Sequence, residues 1–406
     1  MSEFSQNGII STLHDFKTRS TNEIEKDLLK FSKERKMELI LPSLYSELEG
    51  TALPKIVEEI SKTKYLNHII IGLDKANENQ AKNSWKFFKK LKTPFTILWN
   101  DGPKLKKLDK ELKKKDLAPS ELGKGRNVWY CIGMSIARDT ARSVALHDCD
   151  IKTYDRRMLA KLFYPVVNPL FNFEFCKGYY PRVANGKMNG RVARLLVFPL
   201  ITALEKTVGK SDYLDFMKSF KYPLAGEFSF RRNILPELRI SSDWGIEVGV
   251  LSEMQRNFSP QNICQVDLAD SYDHKHQDLS IDDQTKGLSR MSIDIIKTFI
   301  KKLATQGNSF SRETFRSLKA TYYRSALDLI DIYRNDAEMN GLKFDSHTEE
   351  KTVELFAANI MKAGEAFYLN PMDTPFIPTW SRVKSAIPDF LIRLKEVVNE
   401  DNKKYS

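Results

Sequence analysis

Residues 143–150 read Ser-Val-Ala-Leu-His-Asp-Cys-Asp, a short apolar run that ends in two carboxylates, Asp148 and Asp150. Such a run suits a buried parallel strand, and ligands of open α/β sheets bind where such strands stop. Hard divalent cations such as Mg²⁺ or Mn²⁺ take oxygen ligands and keep only one or two protein carboxylates beside substrate phosphates. An Asp-x-Asp at a strand end could therefore hold a metal with a diphosphate. Solvated turn residues or helix caps are the plainer reading of the same spacing.

Other segments could complete such a site. Leu41-Pro42-Ser43-Leu44-Tyr45-Ser46-Glu47 follows the first strand at the edge where a nucleotide would lie, and reads equally as a strand-to-helix turn. In Gly123-Lys124-Gly125 the glycines allow close approach to an anion, Lys124 adds charge and a helix start adds its dipole. The Walker spacing is absent, and a simple turn competes. Asn185-Gly186-Lys187-Met188-Asn189-Gly190-Arg191 is a receptor for phosphate or carboxylate, or else a flexible surface loop. Pro223–Glu227, followed by Arg231-Arg232, and Asp243-Trp244-Gly245-Ile246-Glu247 place acids beside tight turns. Glu227, Asp243 and Glu247 could bind sugar hydroxyls or act as a base, while caps and ion pairs explain each one separately. Asp273-His274-Lys275-His276 is too sparse to define a metal site, but one histidine could complete a shell begun by Asp150.

The elements that must position these residues alternate. Met37–Pro42, Leu66–Asp74, Pro94–Asp101 and Ser143–Asp148 read as strands, with helices near Ala52–Lys62, Asn79–Lys92 and Asn127–Arg142 between them. This predicts an α/β fold with a mostly parallel sheet covered on both faces. A leading helix is expected around Thr21–Arg35. After Asp150, Phe171, Phe173 and Phe175 alternate as in a strand, Arg191–Lys206 is helical with a kink at Pro199, and the helix Trp244–Gln255 precedes a strand at Gln265–Ala269. Four helices follow: Leu288–Ala304, Arg312–Met339, Glu349–Tyr368 and, after the link Asn370–Thr379, Ser381–Asn399. The expected division is an N-terminal helical extension over 1–36 and a core over 37–285, whose nucleotide-binding half is 37–150 and acceptor half 151–285. A C-terminal helical region over 286–406 then packs on the core or pairs subunits.

With 406 residues, 41% of them hydrophobic, the chain can bury a large core. No stretch approaches a membrane span and the N-terminus lacks signal-peptide order, so a cytoplasmic protein is expected. Cys131, Cys149, Cys176 and Cys264 are far apart and match no zinc spacing, which predicts reduced, buried thiols. The net charge of +11 lies partly in Lys104–Lys115, a solvated helix or mobile loop without the interleaved aromatics that would stack bases.

Taken in order, LPSLYSE, GKG, HDCD, NGRVARL, PLAGEFSFRR, WGIEVGVL and DHKHQDL resemble the retaining glucosyl-3-phosphoglycerate synthases, glycosyltransferases with a GT-A (Rossmann-like) core. The likeness spans roughly residues 37–280. It implies transfer of glucose from a nucleotide-diphosphate-glucose donor to 3-phosphoglycerate, with Mg²⁺ or Mn²⁺; the helical tail separately suggests a homodimer, and the composition argues against nucleic-acid and membrane partners. It assigns Pro42, Ser43, Leu44, Glu47, Asp74, Lys124 and Asp148 to the donor nucleotide, and Ala225, Gly226 and Glu227 to the donor sugar. Asp150 and His274 fall at the metal, and Leu224, Glu247 and Asp150 at the reaction centre. Asn189, Gly190, Arg191 and His276 fall near the acceptor. Ala193 stands where the family pattern suggests Thr, and His276 where it suggests Asn. The same core could make a mannosylated product or use free glycerate. A haloacid-dehalogenase phosphatase fits less well, because its motif sits on the first strand and continues to Thr at the fifth position, which is Lys152 here. A basic nucleic-acid-binding protein lacks an aromatic and basic recognition motif.

Overall fold

The computed structural model describes residue 6 and residues 8–274, 286–371 and 376–405. Its strands are β1 (Ser11–Leu13), β2 (Met37–Leu44), β3 (Leu66–Asp74), β4 (Phe95–Trp99), β5 (Ser143–Leu146), β6 (Phe175–Tyr179), β7 (Val183–Ala184), β8 (Lys187–Met188), β9 (Phe228–Arg231) and β10 (Ile263–Asp267). Eight of these form one sheet in the order β1-β10-β6-β9-β5-β2-β3-β4, and β7 and β8 make a separate hairpin. The sheet is parallel except at β9, which runs antiparallel to both β5 and β6. Successive side chains of a strand face opposite sides, so the central strands feed two cores. Ile40, Ile70, Leu98 and Val144 face one. Leu39, Leu41, Ile69 and Ile71 face the other.

The reversed strand positions the site. Phe228 pairs with both Leu146 of β5 and Lys177 of β6, so the residues just before β9 lie beside the carboxyl ends of two parallel strands. Leu224–Glu227 is thereby brought next to Asp148. Without the reversal this segment would enter at the opposite edge of the sheet.

The first β/α units form where the sequence pattern puts them, but several elements differ. The segment before the leading helix, Thr21–Phe31, adds β1 to the sheet beside β10. Phe171 and Phe173 lie outside β6, which starts at Phe175 and follows a helix, Arg156–Val167, that the phenylalanine alternation masked. The bend expected at Pro199 is a π turn, Val192–Val197, leading into the helix Phe198–Val208. Proline lacks an N–H for the regular ladder, and a wider turn absorbs the loss. The lysine run is the amphipathic helix Pro103–Lys113, which buries Leu105, Leu108 and Leu112.

The last expected helix is two, Trp380–Ala386 and Phe390–Tyr405, because Pro388 cannot continue the first and biases Ile387 away from helical geometry. Trp380 stacks on Trp129 with centroids 3.9 Å apart. Asn402 accepts from Ile97 N and donates to Ile97 O, occupying the backbone of the edge strand β4. An exposed edge invites pairing with other chains, and this contact covers it. All four cysteines are buried. Among the described residues no helix is long and apolar enough to cross a membrane.

Candidate active site

The segments around Lys124, Asp148, Gly226 and Glu247 converge at the carboxyl end of β5, beside the ends of β2 and β3. Lys124 opens the helix Lys124–Arg138, preceded by Gly123 at φ +148°, a backbone conformation that side chains disfavour. A Cβ on Gly125 would sit 2.0 Å from Ser241 O, so glycine lets this helix start approach the turn before Glu247. The Lys124 ammonium lies 2.6 Å from Asp148 Oδ1 and 3.0 Å from Glu247 Oε1. A Cβ on Gly226 would fall 2.3 Å from Asp148 Oδ2, so the Leu224–Glu227 loop is packed directly on that carboxylate.

These contacts fix the charge states. Burial disfavours the Lys124 ammonium, but Asp148 and Glu247 outweigh burial and raise its pKa. Burial likewise works against the Asp148 carboxylate, yet Lys124 holds its pKa below the ordinary range. For Glu227, burial and then the nearby Asp148 win, and its pKa rises. Its two oxygens accept from the Tyr180 and Tyr272 hydroxyls, each at 2.6 Å. The two rings stack with centroids 3.6 Å apart.

Asp150 and His274 meet because two loops are laced together. Lys152 N donates to Asp273 O at 2.9 Å, Asp273 N to Thr153 Oγ1 at 3.2 Å, and the Lys152 ammonium lies 3.2 Å from Asp273 Oδ2. His274 Nδ1 then stands 3.5 Å from Asp150 Oδ2. The other oxygen of Asp150 is buried without a hydrogen-bond partner among the described residues. Among the described residues no group of three or more His, Cys, Asp and Glu side chains could hold a metal by itself. His276 lies outside the described residues.

On the nucleotide side, Pro42, Ser43 and Leu44 end β2 opposite Gly72, Leu73 and Asp74 of β3. Glu47 lies in the short 3₁₀ turn that follows. Asn127 donates to Gly72 O at 2.9 Å and to Asp74 Oδ2 at 3.1 Å. Burial lifts the Asp74 pKa to about 6, against the pull of Arg126.

On the acceptor side, Gly190 has φ +76° and Asn189 N donates to Arg182 O at 2.7 Å. Arg191 is not the free receptor its position suggested. Its Nε donates to Glu349 Oε1 at 2.7 Å, and Arg194 donates to Glu349 Oε2 at 2.9 Å. Glu349 comes from the first turn of the helix Ser346–Leu369, and Lys343 N also bonds Gly186 O at 2.8 Å, so the C-terminal helices carry this loop.

Three charged candidates serve turns and ion pairs. Asp243 accepts from Ser241 Oγ and Gly245 N in the turn before the helix Ile246–Asn257. Arg231 pairs with Glu174, and Arg232 with Asp139. Sequence reasoning missed Lys177, fully buried on β6, whose ammonium donates to Ala225 O at 2.5 Å. Burial lowers its pKa to about 8, against Glu247 and Glu227. Its only signal was a lysine inside the buried stretch Phe-Cys-Lys-Gly-Tyr.

No family model matches the chain. Across 402 residues it is 42% identical to a glucosyl-3-phosphoglycerate synthase of Persephonella marina, covering 99% of each chain. The chain belongs to the glucosyl-3-phosphoglycerate synthase family. A second member of this family, from Methanococcoides burtonii, is 39% identical over 403 residues, 98% of this chain and 97% of its own. The glucosyl-3-phosphoglycerate synthase of Mycobacterium tuberculosis, solved with Mn²⁺, uridine-diphosphate-glucose and phosphoglyceric acid, superposes with a TM-score of 0.54 at 19% identity, over 74% of this chain and 89% of that one. That likeness gives the fold, and the family membership makes the chain a glycosyltransferase, as its ordered segments led us to expect.

Proposed function

We propose that the chain moves glucose from a nucleoside-diphosphate-glucose donor to 3-phosphoglycerate with retention at the anomeric carbon. The observation that carries this reading is the Lys124 ammonium held between Asp148 and Glu247, beneath the Gly226 backbone and at the carboxyl edge of the sheet. An ammonium has three N–H donors, and these carboxylates engage two. With 31% of its side chain exposed, Lys124 can turn the third to a diphosphate oxygen. Pro42, Ser43, Leu44, Glu47 and Asp74 frame the nucleotide, and Ala225, Gly226 and Glu227 the sugar. Leu224 and Glu247 border the reacting carbon. Asn189, Gly190 and Arg191 receive the acceptor, with Arg191 using the terminal nitrogens that Glu349 leaves uncommitted.

Asp150 and His274 fit a Mg²⁺ or Mn²⁺ ion, because the buried, unpartnered Asp150 Oδ1 is a hard donor that such a cation would satisfy. When bound, the ion neutralises diphosphate charge as the nucleotide departs. Cytoplasmic residence and a homodimer belong to the same reading. The dimer is supported by Ile332 and Met339, two exposed apolar side chains seven residues apart on the helix Arg312–Met339. Sedimentation at micromolar protein checks it, and a monomer would exclude it.

The donor pocket is tested by melting curves. A ligand that binds only the folded state at a hundredfold excess over its Kd stabilises by about 2.7 kcal/mol. A nucleoside diphosphate with Mg²⁺ should raise the melting temperature and duplex DNA should not. No shift at millimolar nucleotide would reject the pocket.

A further inference from the structure

Among the guanidiniums around the Asn185–Arg191 loop, Arg191 and Arg194 share the Glu349 carboxylate. Arg182 has no such counter-ion: among the described residues no carboxylate lies within ion-pair distance of it. It donates from Nη1 to the Tyr222 hydroxyl at 3.1 Å. Its guanidinium carbon lies 5.7 Å from the centre of the Tyr272 ring. Among the described residues its Nε is buried without a hydrogen-bond partner. The side chain also lies against the loop: a Cβ on Gly190 would meet Arg182 Cβ and Cγ at 3.3 Å. Tyr272 stands two residues before His274, so the cation spans the acceptor loop and the loop that brings His274 to Asp150.

A part-buried guanidinium without an anion is costly, and an anionic ligand relieves that cost best when its oxygens match the planar fork of donors. We propose that Arg182 binds the phosphate of the acceptor and makes the site selective for a phosphorylated three-carbon acid. The proposal rests on the reading that the Asn189–Arg191 loop receives 3-phosphoglycerate. Phosphate fits better than a carboxylate because it brings up to two charges and three acceptor oxygens.

The test compares wild type with Arg182→Gln, which can keep a hydrogen bond to Tyr222 but has no charge. Kinetics are taken with 3-phosphoglycerate, glycerol 3-phosphate and glycerate as acceptors, and the Kd of a nucleoside diphosphate with Mg²⁺ is measured alongside. We expect kcat/KM for the two phosphorylated acceptors to fall roughly ten- to a hundredfold, with glycerate and the nucleotide Kd changed less than threefold. Unchanged efficiency with 3-phosphoglycerate overturns the proposal. So does a loss confined to the carboxylate-bearing acceptors, 3-phosphoglycerate and glycerate, because the guanidinium would then hold the carboxylate. Wild-type protein that does not use 3-phosphoglycerate overturns the functional reading and this proposal together. Should Arg182→Gln fail to fold, Arg182→Lys replaces it. The lysine lacks the planar fork, so the 3-phosphoglycerate Kd should rise at least fivefold with the nucleotide Kd unchanged, and a wild-type Kd overturns the proposal.

Discussion

Replacing Lys124 by methionine keeps the length of the side chain and removes the charge that joins Asp148 to Glu247. At the effective dielectric of partly exposed pairs, each contact of about 3 Å represents roughly 5 kcal/mol of gross attraction, most of which desolvation offsets. Truncating one partner of a fully buried pair costs about 3–5 kcal/mol, and solvent screening lowers that figure. Lys124 and Asp148 are 31% and 26% exposed, so we expect a loss of about 2–3 kcal/mol at pH 8. An unfolding entropy of about 2 cal/mol/K per residue turns this into a fall in melting temperature of roughly 2–4 °C.

The pH dependence identifies the cause. In the wild type Lys124 holds the Asp148 pKa below its unfolded value, which stabilises the fold above about pH 4 and is lost as pH falls through the folded pKa. In Lys124→Met, burial and the neighbouring acids raise the Asp148 pKa, as they already raise that of Glu227. Both groups then bind protons more tightly folded than unfolded, so the variant loses stability as pH rises. The deficit relative to wild type should therefore shrink from pH 8 to pH 5 in calorimetry with a chelator present. A deficit that is absent, or constant over that range, would refute the electrostatic account. Activity should fall by at least two decades at every pH, since a fixed charge at the diphosphate is lost.

Other substitutions separate the roles of neighbouring groups. Asp150→Ala should abolish transfer yet leave the melting temperature unchanged or higher, because it removes a buried oxygen without a partner; full activity in excess chelator would contradict the metal assignment. Glu349→Gln leaves Arg191 and Arg194 facing each other, and should cost about 1–3 kcal/mol while raising the acceptor KM and sparing the donor KM; equal changes in both would contradict it. Lys177→Met should lower kcat about tenfold or more by freeing the Ala225 carbonyl, with the nucleotide Kd retained; unchanged kcat would reduce Lys177 to a packing role.

Much of the core is legible because its strands are buried on both faces and separated by amphipathic helices, a pattern that local sequence carries. The segments around Lys124, Asp148 and Gly226 are legible for a related reason: glycines and acids at strand ends are local signals. What escapes is long-range. β1 is three residues long and exists only because β10 accepts it, 253 residues away in the register Ser11 to Cys264. The reversal of β9 depends on two partner strands, and no feature of Phe228–Arg231 announces its direction. Arg191 reads as a phosphate receptor because its counter-ion, Glu349, lies 158 residues further on. Arg182 follows β6 with no motif around it, and only the absence of a nearby carboxylate among the described residues marks it.

The central claim is best tested by identifying the product. Wild-type protein with Mg²⁺ would be given the glucose and mannose conjugates of UDP, GDP and ADP, each with 3-phosphoglycerate or glycerate, and the product's anomeric configuration read by NMR. Glucosyl-3-phosphoglycerate with the donor's configuration retained is the expected result. A mannosylated product, equal turnover of glycerate, or an inverted anomeric centre would contradict the account.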